Sequence, residues 1–446
     1  MVSNLILYID AGATLRFPAT ALPFTSGRQQ GIETLTPVPL IGGHDLENVA
    51  VVGRGVLMSS NDDWMKLHGR RQPSGNDVGT ANGDNWEKLL ADLGAGKTIP
   101  QDEYRAAGVL ADQLGFSELW VGEHYSSSTE RIVSPLQYFS TLLPVTTRIK
   151  FATGVLTLPH HHPARIAGEV AQFDQASRGR FIMGIGVGSL PTDFELFGTP
   201  GEKRSAMMME SIDIIHQLWA SDGPYDIRGQ FWSIQTKTIN DRFGYGRLLK
   251  PYQQPYPPLA ISVMSPNSST AREAGERGWG MASANFIHEN WLKTHWDQYL
   301  MGCEKAGRRP NRNDWRVARS VLVADSDAEA ADYMAHEDNS FRWYFHYIYD
   351  ETRHSPRVLA LKPDTSMPDE DVTLQYCLDN MVISGSPRTV LDRLVALVDA
   401  LGGPFGTLLL GYKEWDLPAV HQKSWRLMVD MVMPQLRNYC ASLMVA

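Results

Sequence analysis

Residues 114–198 constrain the fold more than any other stretch, because three short apolar runs alternate there with two helical patterns. The runs are 117–122 (S-E-L-W-V-G), 148–158 (R-I-K-F-A-T-G-V-L-T-L) and 180–186 (R-F-I-M-G-I-G). Each is nearly continuous in apolar character, the pattern of a strand buried on both faces of a parallel sheet. Segments 135–145 and 163–176 between them have helical spacing. Strands alternating with helices of this length imply βαβ units. Sheets built this way collect their chemistry at the carboxyl ends of the strands. His124 and the glycine-rich turn 184–193 both stand at such ends.

The rest of the chain extends the alternation. A first strand is expected at 51–58 (V-V-G-R-G-V-L-M), with later strands at 259–264, 280–285, 316–324 and 406–411, each followed by a helix. The count is that of a (β/α)8 TIM barrel. Long insertions are expected after the first strand (61–97), after the fourth, and before the last. Residues 1–48 carry no clear period and read as a poorly ordered N-terminal extension, with 5–9 a strand outside the barrel; the barrel domain then spans 49–446. A net charge of −9 and the lack of a basic cluster with interleaved aromatics argue against a nucleic-acid surface. Cys303, Cys377 and Cys440 lie far apart without metal-type spacing, which suits a reducing, cytoplasmic setting. No apolar run approaches membrane-spanning length, and the start lacks the basic region of a signal peptide.

Four motifs occur in order at barrel spacing: G-F-S-E-L-W-V-G-E-H-Y at 115–125, A-T-G-V-L-T-L-P-H-H-H-P at 152–163, F-D-Q-A-S-R-G-R-F-I-M-G-I-G-V-G at 173–188 and T-D-F-E-L-F-G at 192–198. With them the chain resembles the bacterial luciferase-like family of flavin-dependent monooxygenases, and within it the limonene and diketocamphane monooxygenase branch. The resemblance implies reduced FMN from a separate NAD(P)H:flavin reductase, O2 as oxidant, one oxygen transferred to a small apolar, cyclic, terpenoid-like substrate, and a homodimer. Baeyer–Villiger oxidation, epoxidation and hydroxylation are all compatible with the branch. The flavin would carry the oxygen chemistry, leaving the protein to bind, orient and exclude water.

By the same resemblance His124 is the catalytic histidine, Tyr125 stands in place of a second histidine, and Asp193 is an acidic residue near the flavin. Gly154 and Val155 match a non-proline cis peptide beneath the flavin ring. Gly186 replaces a cysteine, and its small size lets the ring approach the backbone. Val187 replaces a phosphate-contacting arginine. Ser60, at the end of the first expected strand, and Ser189 are further cofactor-binding candidates. For the phosphate, Ser265, Ser268 and Ser269 at a strand end and helix start offer hydroxyls and backbone N–H groups, with Arg204 as a cationic partner. Plainer readings accompany these: a histidine held by a carbonyl for His124, a helix cap for Asp193 and for the 265–270 serines, a solvated arginine for Arg204.

His160, His161 and His162 are consecutive, so they point different ways and only one or two can face a site; they lack the i, i+4 or multi-strand spacing of a metal centre. The six aromatics in 341–349 are too contiguous for a single core seam and are expected to give part of a wall over the pocket. Two other activities fit the same barrel: a deazaflavin-dependent dehydrogenase, and a non-catalytic flavin-binding barrel.

Overall fold

In the computed structural model, the N-terminal part is described as six short strands only; from Gln101 on, all residues are described except 128–129, 200, 338, 412–417 and 446. The chain divides into two compact units, Met1–Gly79 and Thr80–Ala446. In the first, Ile6–Ile9 pairs in parallel with Ala50–Gly53, Thr14–Phe17 with Val56–Ser59, and Phe24–Gln29 in antiparallel with Ile32–Pro37. This corrects one expectation: residues 51–58 are not one strand but parts of two strands, each bonded to a strand upstream.

The second unit holds a nine-stranded sheet whose strands all pair in parallel. Its order runs Glu118–Val121, Lys150–Thr153, Phe181–Gly186, Leu259–Val263, Gly280–Ser283, Trp315–Val323 and Val382–Gly385. Leu156–Thr157 pairs with Phe181–Gly186, and Thr407–Leu410 with the start of Trp315–Val323. Every residue of Phe181–Gly186 is buried, as its unbroken apolar run requires. Helix Pro135–Leu142 lies between Glu118–Val121 and Lys150–Thr153, and helix Pro163–Ser177 between Leu156–Thr157 and Phe181–Gly186; they pack Phe139 and Phe173 on Phe151 and Phe181, ring centres 5.2 to 5.9 Å apart. Ser134 caps the first by accepting from the Gln137 N–H, and Arg178 ends the second in the left-handed region at φ 55°.

One ion pair shows that the sheet curls. Arg316 Nε and Nη2 donate to Glu118 at 2.8 and 2.9 Å, although their strands are five steps apart in the sheet. Laid flat, five steps would separate them by about 24 Å. Contact is possible only if the sheet bends into a barrel with both side chains inside. Trp120, Ala152, Ile182 and Ala260, from four successive strands, form an interior layer of their own. No described strand pairs with the free edge of Glu118–Val121.

The expected insertions after the fourth strand and before the last are present. The first holds helices Pro191–Phe197 and Arg204–Ala220 and the hairpin Asp226–Arg228/Ser233–Gln235. The second holds helices Asp327–Ala335, Ser340–Thr352, Leu374–Met381 and Pro387–Ala400, and the added strand Val382–Gly385. The insertion at 61–97 lies outside the described residues. The aromatic segment is a helix, Ser340–Thr352, with Phe341, Tyr344, Phe345 and Ile348 buried. These are positions i, i+3, i+4 and i+7, an ordinary core seam. The contiguous aromatics wind around the helix, and the buried ones belong to the core, with the Tyr344 hydroxyl donating to Asn285 Oδ1 just past the end of Gly280–Ser283.

Candidate active site

The strand ends bring most of the expected residues together. Gly122 and Gly154 stand side by side: a Cβ on Gly122 would lie 3.4 Å from the Gly154 carbonyl oxygen and 3.9 Å from the His124 ring. The Gly154–Val155 peptide is cis, as expected from the motif, and Gly154 is exposed. Val155 leans over Gly186, where a Cβ would meet Val155 Cγ2 at 2.6 Å and Ser262 Oγ at 3.2 Å. Only a glycine fits there without displacing a neighbour, so Gly186 lets Val155 pack directly on the strand end.

His124 is set between two carboxylates. Its Nε2 lies 2.9 Å from Glu130 Oε2, and its Nδ1 3.5 Å from Asp193 Oδ2. Asp193, in the first turn of helix Pro191–Phe197, is only 2% exposed. Its Oδ1 accepts from the Ser126 N–H at 2.8 Å, the Ser126 hydroxyl at 2.5 Å and the Tyr125 N–H at 3.2 Å. Burial opposes its charge, but the bonds from Ser126 and Tyr125 and the nearby His124 outweigh burial and hold the carboxyl below the usual range. Asp193 thus clamps the loop that carries His124 and Tyr125 rather than capping its own helix.

Tyr125 turns its hydroxyl to Glu123 Oε1 at 3.3 Å and its ring edge to Phe197, centroids 4.6 Å apart. Burial first, then the Glu123 charge and hydrogen bond, push the phenol above its ordinary value, so it is a neutral donor. Glu123, absent from the sequence expectations, is the hub of this side. Its Oε2 accepts from the Thr157 N–H at 2.8 Å and its Oε1 lies 2.9 Å from His161 Nε2. The histidine triplet separates three ways: His161 binds Glu123, His162 occupies the position before helix Pro163–Ser177 without a capping bond, and His160 stacks on Phe197 at 4.7 Å. Glu130 and Glu123 were missed because their partners lie across a loop or on the next strand. The only sequence trace is that Glu123 directly precedes His124 at a strand end.

The serines expected at the phosphate lie at the next strand end. Ser268 caps helix Ser269–Arg277 by accepting from the Thr270 N–H at 3.3 Å, and Ser269 begins that helix. The Ser265 carbonyl accepts from His295 Nε2 at 3.0 Å; His295 Nδ1 meets Ser283 Oγ at 2.9 Å, which accepts from Trp315 Nε1 at 3.0 Å. Burial pushes His295 down to about 4. Neutral, it has one donor and one acceptor, and both are used. Arg204 begins helix Arg204–Ala220 and lies with its guanidinium 3.4 Å over the Phe194 ring. Ser189 sits in the turn after Gly188; Ser60 lies outside the described residues.

A cavity of about 990 Å3 opens at the opposite end of the barrel, among Gly115, Ser117, Asn313 and Gly406 at the strand starts. Arg312 there donates to the carbonyls of Leu401 and Gly403, and Asp399 accepts from the Tyr439 hydroxyl. Arg312 and Asp399 are thus engaged in holding structure, and the carboxyl ends of the strands are the better site.

The profile described as luciferase-like monooxygenase matches residues 88–403. The chain is 31% identical over 334 residues to 4-hydroxyprotoasukamycin monooxygenase of Streptomyces nodosus subsp. asukaensis, covering 73% of this chain and 84% of that one. It is 27% identical to limonene 1,2-monooxygenase of Rhodococcus erythropolis, covering 73% and 79%. Among solved structures, the oxygenating constituent of 3,6-diketocamphane monooxygenase of Pseudomonas putida, a type II Baeyer–Villiger monooxygenase in complex with FMN, superimposes with a TM-score of 0.68 at 28% identity over 76% of this chain and 94% of that one. An F420-dependent secondary alcohol dehydrogenase shares the fold at 18% identity, with a TM-score of 0.58 over 76% of this chain and 96% of that one.

Proposed function

The chain belongs to the luciferase-like monooxygenase family, and on that premise we propose that it is the oxygenase of a two-component, reduced-FMN-dependent system that transfers one atom of O2 to an apolar, cyclic, terpenoid-like substrate. The observation that carries this reading is His124, held between Glu130 and Asp193 beside the exposed backbone of Gly154. The residues present fit a flavin. The exposed glycine backbone at 154 accepts a flat ring at close range, and the capped N-terminus of Ser269–Arg277 offers N–H groups to a phosphate. When bound, the reduced flavin supplies O2 activation.

The protein's part is to orient and to manage a proton. Glu130 lies 2.9 Å from Nε2 of His124 and Asp193 3.5 Å from Nδ1, so the imidazole is held in place as a group that can hold or deliver a proton. The Tyr125 phenol stays neutral and donates. The diketocamphane protein is the oxygenating constituent of its monooxygenase, which supports a separate reductase here; a homodimer is proposed from family likeness. An apolar ring substrate is supported by the limonene and diketocamphane relatives.

The test is to mix the purified protein with reduced FMN, substrate and O2. His124→Ala should bind FMN within a few-fold of the wild type while product gives way to released hydrogen peroxide. Full coupled turnover by His124→Ala would remove His124 from the mechanism. Reduction of F420 by an alcohol, with no O2 uptake, would move the chain to hydride transfer.

A further inference from the structure

Strand Trp315–Val323 carries a cation to a place that repels it. Arg316 faces the barrel interior, so Trp315 and Arg319, on the other face of the strand, point into the helix layer outside. There Trp315 stacks on Trp296 of helix Glu289–Lys305, ring centres 5.6 Å apart. The helix returns the chain from the end of Gly280–Ser283 to the start of the parallel strand Trp315–Val323, so helix and strands run in opposite directions. The four residues from Trp315 to Arg319 rise about 13 Å, the length of about nine helical residues. Counted back from Trp296, Arg319 comes level with residues 287–289, the N-terminus of the helix. Its hydrogen bonds agree, since Nη1 donates to the carbonyls of Asn285 at 3.4 Å and Ala318 at 3.0 Å.

Arg319 is only 3% exposed, its Nη2 is shielded from solvent without a hydrogen bond, and it makes no ion pair among the described residues. Burial pulls the guanidinium down to about 10 against the opposing charge of Glu289, a residue that is itself exposed. A helix N-terminus carries about half a positive charge, so the helix adds to the cost of this cation. Buried charges persist where something pairs with them. The helix end supplies further donors. His288 Nδ1 accepts from the Asn290 N–H at 3.3 Å, which leaves the ring proton on Nε2, and burial, then the Arg319 charge, hold the ring below its ordinary value and so neutral. The Trp291 N–H turns back to the His288 carbonyl at 3.0 Å, and the Glu289 N–H stands in the first turn, where the helix offers it no acceptor. A guanidinium N–H, an imidazole N–H and a backbone N–H thus meet at one helix end with no carboxylate bonded to them.

We propose that Arg319, His288 and the N-terminus of helix Glu289–Lys305 form a binding site for a compact monovalent anion, a halide or a small carboxylate. Arg319 and His288 are both buried, which suits a small ion rather than a phosphate ester. The site lies on the outer face of the barrel wall, apart from Gly154 and from helix Ser269–Arg277, so it stands independently of the flavin reading. An anion there neutralises Arg319 and steadies the loop 284–288 together with the insertion segment docked on it. That docking consists of the His288 N–H on the Ala360 carbonyl at 2.8 Å, Asn290 Nδ2 on the Pro363 carbonyl at 3.2 Å and Trp291 Nε1 on the Lys362 carbonyl at 2.7 Å.

The experiment uses the full chain, with chloride and acetate as probes exchanged against gluconate at constant ionic strength. Thermal midpoints are followed for the wild type, Arg319→Met and His288→Asn. The wild-type midpoint should rise saturably with at least one probe. Arg319→Met removes the charge and keeps most of the stem, so in gluconate it should melt higher than the wild type, and its apparent anion affinity should fall at least tenfold. His288→Asn keeps a helix-capping oxygen but removes the Nε2 proton, and its affinity should fall several-fold; it carries the test if Arg319→Met does not fold. A half-maximal rise at lower acetate than chloride assigns the site to a carboxylate, and the reverse order to a halide. Crystals soaked in bromide should show the anomalous signal of bromine beside Arg319 Nη2. The absence of a saturable rise in the wild type, or an undiminished one in both variants, would overturn the proposal.

Discussion

Replacing Glu123 gives the sharpest test of how the site is held. Its side chain is 2% exposed and it gathers three groups: the Thr157 N–H, His161 Nε2 and the Tyr125 hydroxyl. In Glu123→Gln the amide keeps one acceptor oxygen. If that oxygen stays on Thr157, the new NH2 faces His161, which can accept by changing tautomer. Each bond then drops from the charged class, about 1.5–3 kcal/mol, toward the neutral class, about 0.5–1.5 kcal/mol, for a loss of about 2 kcal/mol. In Glu123→Ala all three partners lose their acceptor in a buried place, and the expected loss rises to about 3–5 kcal/mol. Urea unfolding should show both as shifts of the midpoint at constant slope. A second readout is spectroscopic. The Tyr125 phenol is raised by burial and then by the Glu123 charge and bond, so in Glu123→Gln its ionisation, followed by ultraviolet absorbance, should move down toward ordinary tyrosine. A Glu123→Ala protein within 1 kcal/mol of wild type, or an unmoved Tyr125, would refute the hub.

Three further outcomes follow from the barrel. Glu118→Ala should cost about 3–5 kcal/mol in chemical denaturation by stranding Arg316 inside, whereas Glu118→Leu with Arg316→Met should come within about 2 kcal/mol of wild type. Gly184→Ala should lower the melting midpoint by an amount worth about 3 kcal/mol, because its Cβ would fall 1.8 Å from the Thr153 carbonyl oxygen and the backbone must part. His295, held at about 4 against 6.5 in an unfolded chain, takes its proton first in the unfolded state as pH falls. Its contribution is complete above about 6.5 and is lost toward about 4, a span of about 3 kcal/mol; denaturant midpoints of His295→Gln should vary less with pH across that window than those of the wild type.

The strands that carry the site were legible because both of their faces are buried. Phe181–Gly186 is apolar without a break and could hardly be anything else once helices flank it. His124 and the Gly154–Val155 bond were legible through motif and position at strand ends. Residues 51–58 misled for the same reason that 181–186 succeeded. An apolar run names a strand but not its partner, and Ala50–Gly53 bonds to Ile6–Ile9, more than forty residues back. Glu123 and Glu130 were illegible for want of long-range information: the groups that make Glu123 a hub are 34 and 38 residues away. The aromatics of Ser340–Thr352 showed no helical seam at first sight because contiguity in sequence is dispersion around a helix, with burial falling on every third or fourth residue.

The short helix Pro191–Phe197 is the element through which these observations connect. Adjacent residues on a helix point about 100° apart, and here that angle divides two chemistries. Asp193 faces back to the loop of Tyr125 and Ser126 and to His124. Phe194 faces His160 and Arg204. Phe197, one turn on, touches both sides, with Tyr125 edge-on at 4.6 Å and His160 stacked at 4.7 Å. The helix has only seven residues, so little of its position is set by helical bonding alone. What places it is Asp193 on one side and the stacked rings on the other. The helix is therefore held by Asp193 on the side of His124 and by ring contacts with His160 and Arg204 on the other, so a change to either set should shift both.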